Sequence, residues 1–83
     1  MAKYINTTPE RINELIAKED ATVRLKWKRM IEEVKRTNYM TSETAKELFR
    51  AHNYLFDAFE SGLYCASCRE KVFKRLLTIE DSL

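Results

Sequence analysis

Residues that break helices are almost missing from this sequence, whose 83 residues include one glycine, Gly62, and one proline, Pro9. Hairpin turns, strand edges and phosphate-cradling loops draw on glycine for positive φ and on proline for fixed corners, so a chain with one of each has little material for any of them. Helices with short connections are what remains. Nine aromatics within a 45% hydrophobic composition are enough to fill one thin core, and a domain of this size buries only about 60 to 65% of the surface its unfolded chain exposes. The expected fold is an all-α, single-domain bundle of about four helices over residues 1–83, without the deep pocket of a self-contained enzyme.

The apolar spacing predicts helices over residues 8–18, 21–37, 42–60 and 65–79. Thr7-Thr8-Pro9-Glu10 opens the first with N-cap hydroxyls, a proline suited to the first helical position and an early carboxylate. Ile12, Leu15 and Ile16 form its apolar edge. Asp20 caps the second, where Val23, Trp27, Met30, Ile31 and Val34 recur at offsets 0, 4, 7, 8 and 11, as one helical face requires. Thr41 or Ser42 caps the third, whose stripe of Ala45, Leu48, Phe49, His52, Leu55, Phe56 and Phe59 falls at offsets 0, 3, 4, 7, 10, 11 and 14. Gly62 is expected to close this helix in the left-handed conformation. The fourth starts either just after Gly62 or at Ser67, where Ser67-Cys68-Arg69-Glu70 matches a capping box, and residues 80–83 read as a frayed tail. Met1 to Asn6 show no helical period. The second and third helices carry the clearest faces and are expected to form the central pair.

Apolar runs are no more than four residues long, against the roughly 20 needed to cross a bilayer, and the N-terminus has no apolar signal block. A cytoplasmic protein with no membrane partner is expected. The formal net charge is +2 while 34% of residues are charged, which describes a solvated surface rather than a polycation.

Cys65-Ala66-Ser67-Cys68 is the motif that most invites chemistry. Its spacing can chelate a soft metal or form a reversible disulfide. A zinc site normally takes four ligands, and His52 is the one further soft ligand in the chain; Asp57, Glu60, Glu70 or a second subunit would have to complete it. In a redox role Cys68, in the first turn of a helix capped by Ser67 and beside Arg69 and Lys71, is the thiol expected to ionise. Disulfide oxidoreductases, however, carry this spacing at a strand-to-helix junction, and no βαβ pattern is present here. With an early helix start, Cys65, Cys68, Val72, Leu76 and Ile79 share a stripe, and both cysteines are expected to be packing residues. No cofactor is expected, with zinc at Cys65, Cys68 and His52 as the alternative.

His52, on an apolar stripe with no indicated third catalytic group, is expected to be a core side chain that donates a hydrogen bond. Arg24, Lys26, Lys28 and Arg29 surround Trp27, and Lys71, Lys74 and Arg75 lie on the fourth helix; basic residues interleaved with an aromatic can follow a phosphate backbone. Glutamates dilute that field, and Trp27 belongs to the buried stripe. Thr44-Ala45-Lys46-Glu47-Leu48 resembles the first helix of a helix-turn-helix, but the period runs unbroken through His52 and leaves no turn for a recognition helix.

Tyr4, Ile5, Leu25, Tyr39, Tyr54, Leu63 and Tyr64 fall off the main stripes. Leu25, Tyr39, Tyr54 and Tyr64 are the candidate protein-interface residues, tyrosine being favoured at interfaces for its apolar body and polar tip. The expected function is that of a small, non-enzymatic, helical interaction protein of the bacterial or viral accessory kind, binding another protein or itself. Nucleic-acid binding is the first alternative and a zinc or redox role the second.

Overall fold

A computed structural model describes residues 7–83, which form four α-helices and a terminal 3-10 turn with no strand. The helices are α1 (Pro9–Lys18), α2 (Ala21–Thr37), α3 (Ser42–Phe56) and α4 (Ala66–Leu77), followed by the turn Glu80–Ser82. Tyr4, Ile5 and the rest of the segment preceding Thr7 lie outside the described residues.

Three of the four starts follow from local chemistry. Thr8 Oγ1 accepts from the Arg11 amide at 3.1 Å, with Pro9 at the first helical position. Asp20 Oδ1 accepts from the Thr22 amide at 2.7 Å, and Thr41 Oγ1 from that of Thr44 at 3.1 Å. Each satisfies an amide that has no partner inside its helix. Helix α2 stops where Asn38 turns left-handed at φ 55° and its N–H returns to the Val34 carbonyl at 2.7 Å.

The end of α3 departs from the sequence expectation. The helix stops at Phe56, because Asp57 takes the left-handed conformation at φ 51° while the Ala58 N–H reaches back to the Asn53 carbonyl at 3.1 Å. Asp tolerates that conformation better than most side chains, so no glycine is needed. Gly62, expected as the stop, has no positive φ. Phe59, which a helix over residues 42–60 would place on the core stripe, lies beyond the reversal and is 91% exposed.

One core unites the elements. Ile12 and Ile16 from α1, Trp27, Ile31 and Val34 from α2, Leu48, Phe49, Leu55 and Phe56 from α3, and Val72 and Leu76 from α4 are all buried. Helix α3 is the hub: α1, α2 and α4 all pack on it, and α4 has the most extensive contact. The expected central pair of α2 and α3 therefore gives way to one central helix, which explains why its stripe is the widest. The tail is also more ordered than expected. Leu83 packs against the core and Glu80 accepts from Lys35 Nζ at 3.0 Å, while Ile79, expected on the core side, is buried as expected. The molecule is only 16 Å deep along its shortest axis, about two helix diameters at most, and no described helix is long and apolar enough to cross a membrane.

Candidate functional site

The chain between α3 and α4 has no regular structure, and polar side chains hold it in place. Asn53 Oδ1 accepts from the Glu60 amide and its Nδ2 donates to the Glu60 carbonyl, both at 3.0 Å. This two-point clamp folds the loop back on the last turn of α3. The Glu60 carboxylate then meets Lys71 Nζ at 3.0 Å and Arg75 Nη1 at 3.9 Å on α4. Further along, the Arg69 guanidinium donates to the Leu63 carbonyl and, at 2.8 Å, to the Met40 carbonyl. Residues 57–65 are thus tied to α3, to α4 and to the α2–α3 turn.

His52 belongs to this network. It is fully buried, and Arg75 Nη1 lies 3.2 Å from its Nε2. A guanidinium has only N–H groups to offer, so Nε2 accepts and the ring proton sits on Nδ1, which donates to Asn53 Oδ1 at 3.0 Å. Burial, opposed by the Asn53 bond and assisted by the Arg75 charge, lowers the His52 pKa below the usual histidine value. The histidine is a neutral core side chain with both ring nitrogens engaged, and Phe56 packs against it with ring centroids 5.1 Å apart.

The loop ends at the cysteines. Cys65 is the N-cap of α4 and is exposed; Cys68, in the first turn, is half-buried against the core. Of the two expected starts the earlier one holds, with the helix beginning at Ala66 against an expected 65, and the expectation that both cysteines are core packing is corrected for Cys65, which has left the helical stripe for the cap. Its Sγ accepts from the Cys68 thiol at 2.8 Å and from the Cys68 amide at 3.3 Å, with Ser67 Oγ at 3.2 Å. Hydrogen bonds from the Cys68 thiol, from Ser67 and from the Cys68 amide bring the Cys65 thiol down to about 7. The same thiol–thiol bond, followed by burial, raises Cys68. The polarity is the reverse of the sequence expectation, which put the thiolate at Cys68: Cys65 takes the cap, and Arg69 is turned to backbone carbonyls instead.

Gly62 has a role that its sequence position did not reveal. A Cβ there would lie 2.6 Å from Cys68 Sγ, 2.9 Å from Cys68 Cβ and 3.2 Å from Cys65 Cβ. The glycine is present because the loop backbone passes directly against the thiol pair. Asn53 and Gly62 are the two site-forming residues that sequence reasoning missed, and only the isolation of the single glycine just ahead of the C-x-x-C spacing hinted at one of them.

The trio Cys65, Cys68 and His52 is not brought together: no group of three or more His, Cys, Asp or Glu among the described residues could hold a metal ion. The basic residues are largely engaged. Lys26 pairs with Glu47 at 3.7 Å, Lys71 and Arg75 with Glu60, and Lys74 with Glu70 at 3.4 Å. Arg24 is half-buried, and its Nε is enclosed without a hydrogen-bond partner among the described residues. Lys28 and Arg29 form no ion pair among the described residues. Trp27 is buried and donates to Glu47 Oε2 at 3.0 Å, so it joins α2 to α3 rather than offering a stacking face.

Leu25, Tyr39, Tyr54 and Tyr64 are all exposed, by 47%, 66%, 47% and 77%. One of them lines a groove and a second lies beside one of its charged walls. Tyr39 lines an open groove of about 470 Å³ between the α2–α3 turn and α4, with Met40, Phe73 and Leu77 as its other main apolar walls and Arg69, Glu70 and Lys74 among its charged ones. The Tyr64 ring lies 5.9 Å from the Arg69 guanidinium carbon. Leu25, Tyr54 and Tyr64 are not part of that lining, Tyr64 approaching it only through Arg69. No protein-family model, curated protein or solved structure matches the chain.

Proposed function

We propose that this chain is a small interaction protein that self-associates, with the outer face of α4 and the adjoining groove as its contact surface. The observation that carries the reading is the self-complementary order of that face. Ala66, Glu70, Phe73, Lys74 and Leu77 all line the groove. Two such helices set antiparallel about a two-fold axis near residue 72 bring Glu70 of one opposite Lys74 of the other, and Leu77 opposite the small Ala66, with Phe73 beside the axis. An isologous interface needs this reciprocity, because the same patch serves both sides. Tyr39 and Leu77, 66% and 37% exposed, supply the apolar area at the edges.

A contact built mainly on one helix pair falls at the small end of specific interfaces, below about 1,200 Å² in total, where complexes are weak or transient. The expected dimer therefore dissociates in the micromolar range or above. Sedimentation equilibrium over a wide concentration span tests it. Tyr39→Glu or Leu77→Glu should leave only monomer. Glu70→Lys and Lys74→Glu should each weaken the dimer, and the double reversal should restore it. A monomer at every concentration, or a dimer indifferent to all these changes, rejects the proposal.

A further inference from the structure

Helices α1, α2 and α3 are capped by the oxygens of Thr8, Asp20 and Thr41, whereas α4 is capped by a sulfur. A thiol is a weak acceptor and a thiolate a strong one, and the N-terminus of a helix favours negative charge. Three donors, the Cys68 thiol, the Cys68 amide and Ser67 Oγ, converge on the Cys65 sulfur within 3.3 Å. The two cysteines are unequal in access, Cys65 being exposed and Cys68 half-buried. Above Cys68 the backbone passes at Gly62, where any side chain would collide with its sulfur. The clamp from Asn53 to Glu60 and the bonds of Arg69 hold that loop in place. The result is a built dithiol: one open sulfur stabilised as an anion, and a second, half-buried sulfur held in contact with it.

We propose that Cys65 and Cys68 form a thiol–disulfide exchange site whose substrates are disulfides, with Cys65 as the attacking sulfur and Cys68 as the resolving one. The Cys65 thiolate attacks one sulfur of a substrate disulfide; a new S–S bond forms to Cys65, the substrate S–S bond breaks, and its other half leaves as a thiolate. Cys68 gives up its proton, which that leaving thiolate takes. Its sulfur then attacks Cys65, forming the Cys65–Cys68 disulfide and expelling the second substrate thiolate, which takes the proton lost when Cys65 ionised. Two electrons pass from the dithiol to the substrate, and two substrate thiols are released.

The magnitudes place the advantage in the second step. A thiol of pKa about 7 is half ionised at pH 7, against roughly 3% for an ordinary thiol of about 8.5. Its lower intrinsic nucleophilicity takes back a factor of roughly five. Attack by Cys65 is therefore only about threefold faster than by a free cysteine. Ring closure by Cys68 is intramolecular between sulfurs already 2.8 Å apart, and positioned groups gain most from such proximity.

The test uses the fully reduced protein and oxidised glutathione under anaerobic conditions, read by intact-mass spectrometry and by thiol release. The native chain should release two equivalents of glutathione and lose two hydrogens, with no lasting adduct. Cys68→Ser, which keeps a hydroxyl donor to Cys65, should release one equivalent and hold a glutathione adduct on Cys65. Cys65→Ser should react at least about threefold more slowly than Cys68→Ser. Gly62→Ala should prolong the adduct about tenfold or more, since a Cβ against Cys68 Sγ displaces the resolving sulfur. Circular dichroism of each variant separates these effects from unfolding. A native chain that keeps a stable adduct, a Cys65→Ser variant that reacts as fast as Cys68→Ser, or release of thiol only after a bound metal has been chelated overturns the proposal.

Discussion

His52 is stable in this fold only as the neutral imidazole, because protonation would place a second positive group against Arg75 and remove the Nε2 acceptor. Its folded pKa lies below the unfolded value near 6.5, so the unfolded chain binds the proton first as pH falls. Its contribution to stability is complete above pH 6.5 and is lost as pH falls through the depressed folded value. The melting temperature of the native chain should therefore decline in mildly acid solution, and that part of the decline should vanish in His52→Gln, as followed by thermal denaturation across pH. Asn53 is the second decisive side chain. Two hydrogen bonds to the Glu60 backbone and one from His52 depend on it, each contributing about 0.5–1.5 kcal/mol net. Asn53→Ala should destabilise the chain by about 2 kcal/mol in urea titration and raise proteolytic cleavage within residues 57–65. The buried, donating His52 was expected from its place on the apolar stripe, whereas the role of Asn53 is not visible in the sequence, where it is one polar residue on the flank of an amphipathic helix.

The helix ends divide into those set locally and those set by packing. Thr8, Asp20 and Thr41 cap through amides two or three residues ahead, and for that reason their positions were readable from composition and order alone. Thr41→Ala should cost about 1 kcal/mol by the same logic, measurable from the urea midpoint. Helix α2 ends at Asn38 in the left-handed conformation, where a β-branched side chain is strained. Asn38→Val should lower stability by about 1–2 kcal/mol, while Asn38→Gly should leave it unchanged or slightly improved. The α3 terminus was misplaced by sequence reasoning because the hydrophobic period continues to Phe59 and the glycine signal lies beyond it. What stops the helix is Asp57 turning left-handed while Asn53 draws Glu60 back, a contact seven residues apart that no capping rule contains. Cys65 escaped recognition as a cap for a related reason: sulfur is not a usual cap, and its partners become available only when the loop behind it is held.

Across the whole molecule, a thin core carried by one central helix concentrates the stability in few side chains. Leu48 and Leu55 are fully buried on α3, so Leu55→Ala should cost about 2–5 kcal/mol, a large share of the total for a domain of this size. Its unfolding transition should shift accordingly in denaturant titration. The same thinness leaves the outer face of α4 uncovered among the described residues, which is where the groove, Tyr39 and Leu77 lie together. The all-α class, the four helices and the buried stripes of α2 and α3 were determined by the sequence itself, because helical periodicity and N-caps are short-range properties and the scarcity of glycine and proline removed the competing folds. The choice of α3 as hub, the neutral state of His52, the reversal of thiol polarity between Cys65 and Cys68, and the purpose of Gly62 were decided only by the tertiary structure. Each depends on groups brought together across the α3–α4 loop, and a one-dimensional pattern carries no record of which side chain will face which backbone once that loop has closed.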